Sequence, residues 1–166
     1  REDFMQITKS GLKINPFEVN IKEKKPTSTL FHRQQHKNFS FTTTMTYEPR
    51  SEKDLAGITA LQSETFNYVF GITKKANKNY LVLQRTEKGA SKILAAKEIS
   101  LKDKIQLRVE ANQDDYTFSY ALNEGNFENL GGTVSGDILS TNVAGGFTGT
   151  LLGLYATSAN DAVPEQ

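Results

Sequence analysis

Hydrophobic and polar positions alternate with a period of two over much of the chain. Phe39, Phe41, Thr43, Met45 and Tyr47 fall on one face, and Asn38, Ser40, Thr42, Thr44 and Thr46 on the other. That pattern predicts a half-buried strand, apolar inward and hydroxyl-rich outward. Ile105, Leu107 and Val109 alternate with Gln106, Arg108 and Glu110 in the same way. So do Tyr116, Phe118, Tyr120 and Leu122 with Thr117, Ser119 and Ala121. Tyr80-Leu81-Val82-Leu83 and the run from Phe66 to Ile72 carry fewer polar interruptions and predict more deeply buried strands. β-branched and aromatic residues concentrate in these runs, because they pack well on a pleated surface.

Turn signals separate the runs. Glu48-Pro49 closes the first long strand, and Asn77-Lys78-Asn79, Glu87-Lys88-Gly89 and the stretch from Asn112 to Asp115 are polar punctuation. Asn123-Glu124-Gly125-Asn126 predicts a tight hairpin with Gly125 at a positive φ. Roughly ten or eleven strands at intervals of about 8–15 residues predict an all-β, antiparallel two-sheet sandwich rather than βαβ units. No segment carries a helical stripe, although Ser100-Leu101-Lys102-Asp103 suits one short turn. The residues from Ala159 to Gln166 form a polar tail expected to fray. Pro16 to Pro26 is the loosest stretch, and its Lys22-Glu23-Lys24-Lys25 run suits a solvated loop. With no internal repeat and no dividing linker, residues 1–166 are expected to form one sandwich domain with its core within 10–158.

Composition narrows the function classes. The chain has 166 residues, which suits one domain. Twenty basic and nineteen acidic residues leave a net charge of +1, with no long block of like charge. That argues against a dedicated nucleic-acid or anionic-membrane binder, which needs a basic stripe. Cysteine is absent, which removes disulfides, thiolate metal sites, iron–sulfur clusters and cysteine nucleophiles together. No apolar run approaches the length that spans a bilayer. The chain starts Arg1-Glu2-Asp3-Phe4, neither an initiator Met nor a signal peptide, so a processed chain or a domain cut from a larger protein is expected.

The chain carries few residues in patterns that point to chemistry. The only histidines, His32 and His36, have the outer spacing of the zinc-protease helix motif. On a strand, residues four apart stand about 13 Å from each other, too far to share an ion. Arg33 also occupies the place of the general-base Glu. Glu52-Lys53-Asp54 approaches the carboxylate pattern of some jelly-roll glycosidases, but its third position is Gly57, and the pair suits a solvated turn. Asp114-Asp115 is a turn pair and a weak calcium candidate. There is no nucleophile elbow and no phosphate-binding loop; Gly145-Gly146-Phe147-Thr148-Gly149 opens a strand rather than a helix. Sugar-binding platforms favour Trp, and this chain has none among 6 Tyr and 10 Phe. Tyr47, Tyr68, Tyr80, Tyr116 and Phe127 are the aromatics to weigh for exposure, with core or rim packing favoured for each.

Several stretches in order carry a resemblance. Leu30-Phe31-His32-Arg33-Gln34-Gln35-His36 precedes Phe39-Ser40-Phe41 and Tyr47-Glu48-Pro49. Leu55-Ala56-Gly57-Ile58 and Phe66-Asn67-Tyr68 follow, then Ile105-Gln106-Leu107-Arg108-Val109 and Tyr116-Thr117-Phe118-Ser119-Tyr120. The last is Phe147-Thr148-Gly149-Thr150-Leu151-Leu152-Gly153-Leu154-Tyr155-Ala156-Thr157. Together they resemble the C-terminal concanavalin A-like domain of family 43 glycoside hydrolases, the β-xylosidases and α-L-arabinofuranosidases that act on plant hemicellulose. The resemblance runs over roughly residues 10–158, and its most specific parts are the Arg-Gln-Gln-His and Phe-Thr-Gly-Thr to Gly-Leu-Tyr-Ala stretches.

The resemblance implies a jelly-roll sandwich, in agreement with the strand pattern. It implies an accessory domain that is not itself an enzyme, catalysis belonging to an N-terminal β-propeller that hydrolyses xylosidic or arabinosidic bonds. The implied partners are that propeller and hemicellulose oligosaccharides, with no nucleic acid and no membrane. In family members a loop before the Arg-Gln motif reaches the catalytic pocket, so Arg33, Gln35 and His36 are the expected interdomain or substrate contacts, while Gly149 and Gly153 suit close packing. Family members often have two arginines where this chain has His32-Arg33, so only Arg33 matches. Some β-xylosidases carry a pocket-lining Phe shortly before this motif; here that neighbourhood is Lys24-Lys25-Pro26-Thr27, so the resemblance does not choose between the two activities. No cofactor is called for, and a structural calcium is the one candidate. A periplasmic or secreted location is expected ahead of a cytoplasmic one. The alternative reading is a free-standing carbohydrate-binding module or lectin; an independent jelly-roll hydrolase needs converging carboxylates that the spacing does not offer.

Overall fold

The structure, a computed structural model, describes residues 5–8, 11–14, 28–33, 38–100, 104–123, 125–139 and 150–158, the first three stretches as backbone. These contain twelve strands: β1 Met5–Thr8, β2 Gly11–Ile14, β3 Ser28–Arg33, β4 Asn38–Met45, β5 Leu55–Ser63, β6 Phe66–Lys75, β7 Lys78–Glu87, β8 Ala90–Ile99, β9 Ile105–Asn112, β10 Asp115–Leu122, β11 Glu128–Ser135 and β12 Leu151–Thr157. That is one or two more than the pattern predicts, because β1 and β2 have only four residues each, too few to show alternation. A single 3-10 turn, Asp137–Leu139, is the helical structure among the described residues.

All pairings are antiparallel. β1 pairs with β2; β11-β10-β9-β4 make a four-stranded sheet; β3-β12-β5-β6-β7-β8 make a six-stranded sheet. The two larger sheets share one core. From the six-stranded sheet it takes Ile58, Tyr68, Phe70, Ile72, Leu81 and Leu83; from the four-stranded sheet, Ile105, Leu107, Val109, Tyr116, Phe118 and Tyr120. The Phe118 ring lies 5.6 Å from Tyr68 and 5.5 Å from Phe70, tilted against both, in the offset geometry that aromatic pairs favour. This is the all-β two-sheet sandwich that the period-two pattern predicts.

The sheets differ in their outward faces. Along β9 buried positions alternate with half-exposed ones, because that strand has one solvated side. β5 and β6 are buried at nearly every position, on both sides. The outward side of the six-stranded sheet carries a second apolar cluster of Leu55, Leu61, Val69, Val82 and Tyr155. Here Gly57 and Gly71 stand opposite each other in register. A Cβ at Gly57 collides with the Phe70 carbonyl oxygen, and one at Gly71 comes within 2.5 Å of the Ala56 carbonyl oxygen. Two glycines let the central strands approach this closely.

The turns fall where the polar punctuation places them. Ala76-Asn77 and Lys88-Gly89 have positive φ at both central residues, the mirror-image turn whose twist matches that of paired strands. The hairpin after β10 corrects one expectation. Positive φ belongs to Asn123 (48°), not Gly125, whose amide instead donates to the Leu122 carbonyl at 2.9 Å. Asn tolerates the left-handed region because its short polar side chain bonds locally.

Candidate functional site at the Arg33 end of the sandwich

Strand register defines the site. Antiparallel pairing puts Arg33 beside Leu151, Leu151 beside Leu61, Leu61 beside Asn67, Asn67 beside Thr86 and Thr86 beside Ser91. This row crosses the six-stranded sheet near one end. The next row runs from His32 through Leu152, Ala60, Tyr68 and Arg85 to Lys92. The β5–β6, β7–β8 and β9–β10 turns gather at this same end, followed by the 3-10 turn that leads towards β12.

Beyond Leu61 the row of Arg33 turns polar and stays buried as far as Thr86, and Gln84 lies two residues before Thr86 on the same strand. Asn67 and Thr86 are wholly inaccessible, and Gln84 nearly so. Asn67 Nδ2 donates to the Ser63 and Glu64 carbonyls at 3.3 Å each, which pins the β5–β6 turn. Thr86 and Ser91 hydroxyls bond at 2.7 Å, and Gln84 Nε2 donates to Ser91 Oγ at 3.3 Å. Asn67 Oδ1 and Gln84 Oε1 are buried without a hydrogen-bond partner. Such acceptors are costly in a folded chain and rare among buried polar groups.

On the inward side Tyr68 closes the end of the core. Its hydroxyl donates to the Ser135 carbonyl at 2.6 Å, and burial pushes its pKa above the ordinary tyrosine value. Ser135 Oγ accepts from the Asp137 amide at 3.1 Å, and the Gly136 amide donates to the Asp114 carbonyl at 2.6 Å. Ile138 and Leu139 then drop into the core. Tyr68 thereby fixes the path of the chain as it leaves β11.

Of the expected contact residues, Arg33 is the last residue of β3 and heads the polar row, while Gln35 and His36 lie outside the described residues. His32 sits on the same strand, and His36, its partner in the spacing, lies outside the described residues. Among the described residues no group of three His, Asp or Glu side chains converges on a cation position. Glu52 and Asp54 serve turns, as expected. Asp54 Oδ2 accepts from the amides of Arg50 (2.7 Å) and Ser51 (3.2 Å), and Glu52 Oε1 accepts from Ala76 N at 3.2 Å. Gly153 pairs with Thr59 and Phe31 in β12, whereas Gly149, the glycine-rich stretch and the Pro16–Pro26 loop lie outside the described residues. Tyr68 and Tyr116 are core residues, and Tyr47 and Tyr80 pack half-buried against the two clusters. Burial is the main cause that pushes the Tyr47 pKa up, with Asp54 adding to it. Asn67 stands inside an otherwise apolar run in the sequence, and that interruption is the signal that marks it; Gln84 ends such a run before Arg85-Thr86-Glu87 and carries no comparable signal.

The beta-xylosidase C-terminal concanavalin A-like domain model matches residues 1–164. The chain belongs to that family. This C-terminal concanavalin A-like domain is found in family 43 glycoside hydrolases. It is similar to a non-reducing end alpha-L-arabinofuranosidase of Bacteroides ovatus, 24% identical over 152 residues, covering 92% of this chain and 28% of that protein. Among solved structures it matches a family 43, subfamily 12 protein retrieved from capybara gut metagenome, with TM-score 0.86 and 39% identity over 93% of this chain and 30% of that one. A xylan beta-1,4-xylosidase from Bacillus halodurans shares the fold at TM-score 0.80 and 19% identity, over 89% of this chain and 30% of that one. The C-terminal concanavalin A-like domain thus spans less than a third of the length of these relatives.

Proposed function

We propose that this chain is the accessory sandwich of a hemicellulose-cleaving glycoside hydrolase. In this reading it packs on a catalytic β-propeller, and its Arg33 end helps to shape the substrate pocket. The observation that carries it is the pairing of a family match over residues 1–164 with coverage of less than a third of the relatives. The domain itself performs no bond cleavage. Its contribution is order: it holds neighbouring loops, excludes water and limits the length of chain that enters. Small misplacement around reacting groups is expensive in rate, so a rigid neighbour has catalytic value without a catalytic residue. The Tyr68–Ser135 bond and the Asn67 clamp on the β5–β6 turn support this reading, since both stiffen the end that Arg33 belongs to.

The test is Arg33→Ala in the full-length enzyme. The expected result is a raised KM for xylo- or arabino-oligosaccharides, or a lowered melting temperature of the two-domain unit, with kcat changed less. Unchanged melting together with unchanged kinetics removes Arg33 from the interdomain face.

A further inference from the structure

The solvated side of the four-stranded sheet carries one preorganised arginine. Arg108, in the middle of β9, stacks its guanidinium carbon 3.9 Å from the centroid of the Phe127 ring. Its Nε approaches Glu110 Oε1 at 2.6 Å and Ser119 Oγ at 3.4 Å. Ser119 and Ala121 are buried although both occupy outward positions of β10. The Arg108 side chain is 30% exposed and that of Glu110 46%. Three partners hold the group, so it has already lost most of the rotamer freedom that an exposed arginine keeps.

All of these contacts use the guanidinium face and Nε. Among the described residues Nη1 and Nη2 have no hydrogen-bond partner, so a fixed fork of four N–H donors is uncommitted. Glu110 Oε2 is likewise uncommitted. The surroundings are hydroxyls: in register, Thr42 stands opposite Arg108 and Ser40 opposite Glu110, both exposed. The local charge is balanced by the Arg108–Glu110 pair. A fork of donors beside a free carboxylate oxygen selects a ligand whose adjacent oxygens both accept and donate. A vicinal diol meets that requirement. A carboxylate or phosphate accepts from the fork but faces Glu110, where like charges repel.

We propose that Arg108, Glu110 and Phe127 form a surface subsite for a vicinal diol of a neutral saccharide. It lies on the four-stranded sheet, away from the Arg33 row on the six-stranded sheet, and is independent of the interdomain reading. A polar, charge-balanced face with one aromatic ring fits a hydrated glycan better than a permanent protein partner, whose contact core is apolar.

The experiment is a 1H–15N titration of this chain with xylotetraose and, separately, with trigalacturonate as the anionic counterpart. Saturable movement of the Thr42, Arg108, Ser119 and Asn129 amides with xylotetraose alone is the expected result. Arg108→Gln should weaken that binding by about tenfold or more, the worth of a hydrogen bond to a charged group. Glu110→Gln keeps the stack on Phe127 and should admit trigalacturonate, which separates the diol rule from a loss of folding. The proposal is overturned by no saturable shift, by shifts centred on the six-stranded sheet, or by unaltered chain that prefers trigalacturonate. None of these outcomes touches the kinetics that test the interdomain role of Arg33.

Discussion

The Tyr120 hydroxyl donates a 2.7 Å hydrogen bond to Glu128 Oε2, across the β10–β11 pairing in which the two residues are register partners. Lys97 reaches the same oxygen at 3.1 Å from β8, the edge of the other sheet, and stands 5.4 Å from the centroid of the Tyr120 ring. One carboxylate thus joins the open side of the sandwich, where β8 and β11 meet. Hydrogen bonds from Tyr120 and then Lys97 hold the Glu128 carboxyl below the usual carboxylate range. The hydrogen bonds to Tyr120 and Glu128 raise the Lys97 ammonium, and burial is the main cause that raises Tyr120.

A pH dependence follows from those directions. A carboxyl with a lowered folded pKa contributes stability above its unfolded value and loses it as pH falls through the folded one. Lys97 contributes below its unfolded value and loses it as pH rises through its raised folded one. Glu128→Gln should therefore melt below the parent chain at neutral pH, and the gap should close below the ordinary carboxylate range. Because the group is exposed, the gap should also shrink in high salt. Thermal melts across pH and salt check this; a gap independent of both refutes the ionic account.

Tyr68→Phe should cost about 1–2 kcal/mol, because it leaves the Ser135 carbonyl without the 2.6 Å donor while keeping the ring against Phe118. Urea unfolding should show a lower midpoint at unchanged slope. Kinetic effects of the same change in a full-length enzyme should appear in KM before kcat, as for any residue that acts by positioning.

Phe118→Ala should cost about 3–5 kcal/mol, a large part of the stability of a domain this size. Phe118 is fully buried and touches rings from the opposite sheet. Measured by denaturant, a loss below about 1 kcal/mol would mean that the two sheets do not share this core.

Gly131 and Gly132 make a matched pair. Both have positive φ, 87° and 69°. A Cβ on Gly132 meets nothing within 4 Å, whereas one on Gly131 stands 2.9 Å from Leu83 Cδ2. Gly132→Ala should cost about 1–2 kcal/mol for the left-handed backbone alone. Gly131→Ala should cost more, by the displacement of a fully buried leucine. Equal midpoints for the two variants would contradict this contact.

Gln84→Met tests the unpaired acceptor. Gln84 Oε1 is buried without a partner, so an apolar side chain of similar size removes a desolvated group at the loss of one 3.3 Å bond to Ser91. Stability should change by less than about 1 kcal/mol, in either direction. A larger loss would show that the amide oxygen is satisfied when the domain is in solution.

The Arg33 end and the Arg108 face differ in how far the sequence reveals them. Arg33 is reached through an ordered set of motifs, and its place at the end of β3 follows from pairing with Leu151. The Arg108 stack leaves no such trace. Arg108 reads as one polar position of an alternating strand, and Phe127 as one aromatic after a turn; eighteen residues separate them. Their meeting depends on how the chain after β10 folds back, which no local pattern encodes. Asn67 is intermediate: it interrupts an apolar run, but only burial of both faces of the six-stranded sheet turns the interruption into a buried unpaired oxygen.

The sequence alone determines the all-β class, the inward residues of β4, β9 and β10, most turn positions and the family resemblance. These rest on alternation and on local backbone preferences, which act over a few residues and are written directly in the chain. Tertiary structure decides the order of strands within each sheet, the burial of the outward face of the six-stranded sheet, and the choice of Asn123 over Gly125 for positive φ. It also decides which charged groups meet: Lys97 with Glu128, and Arg108 with Phe127. Those depend on long-range pairing and packing, where many arrangements satisfy the same local pattern and only the assembled sheets select one.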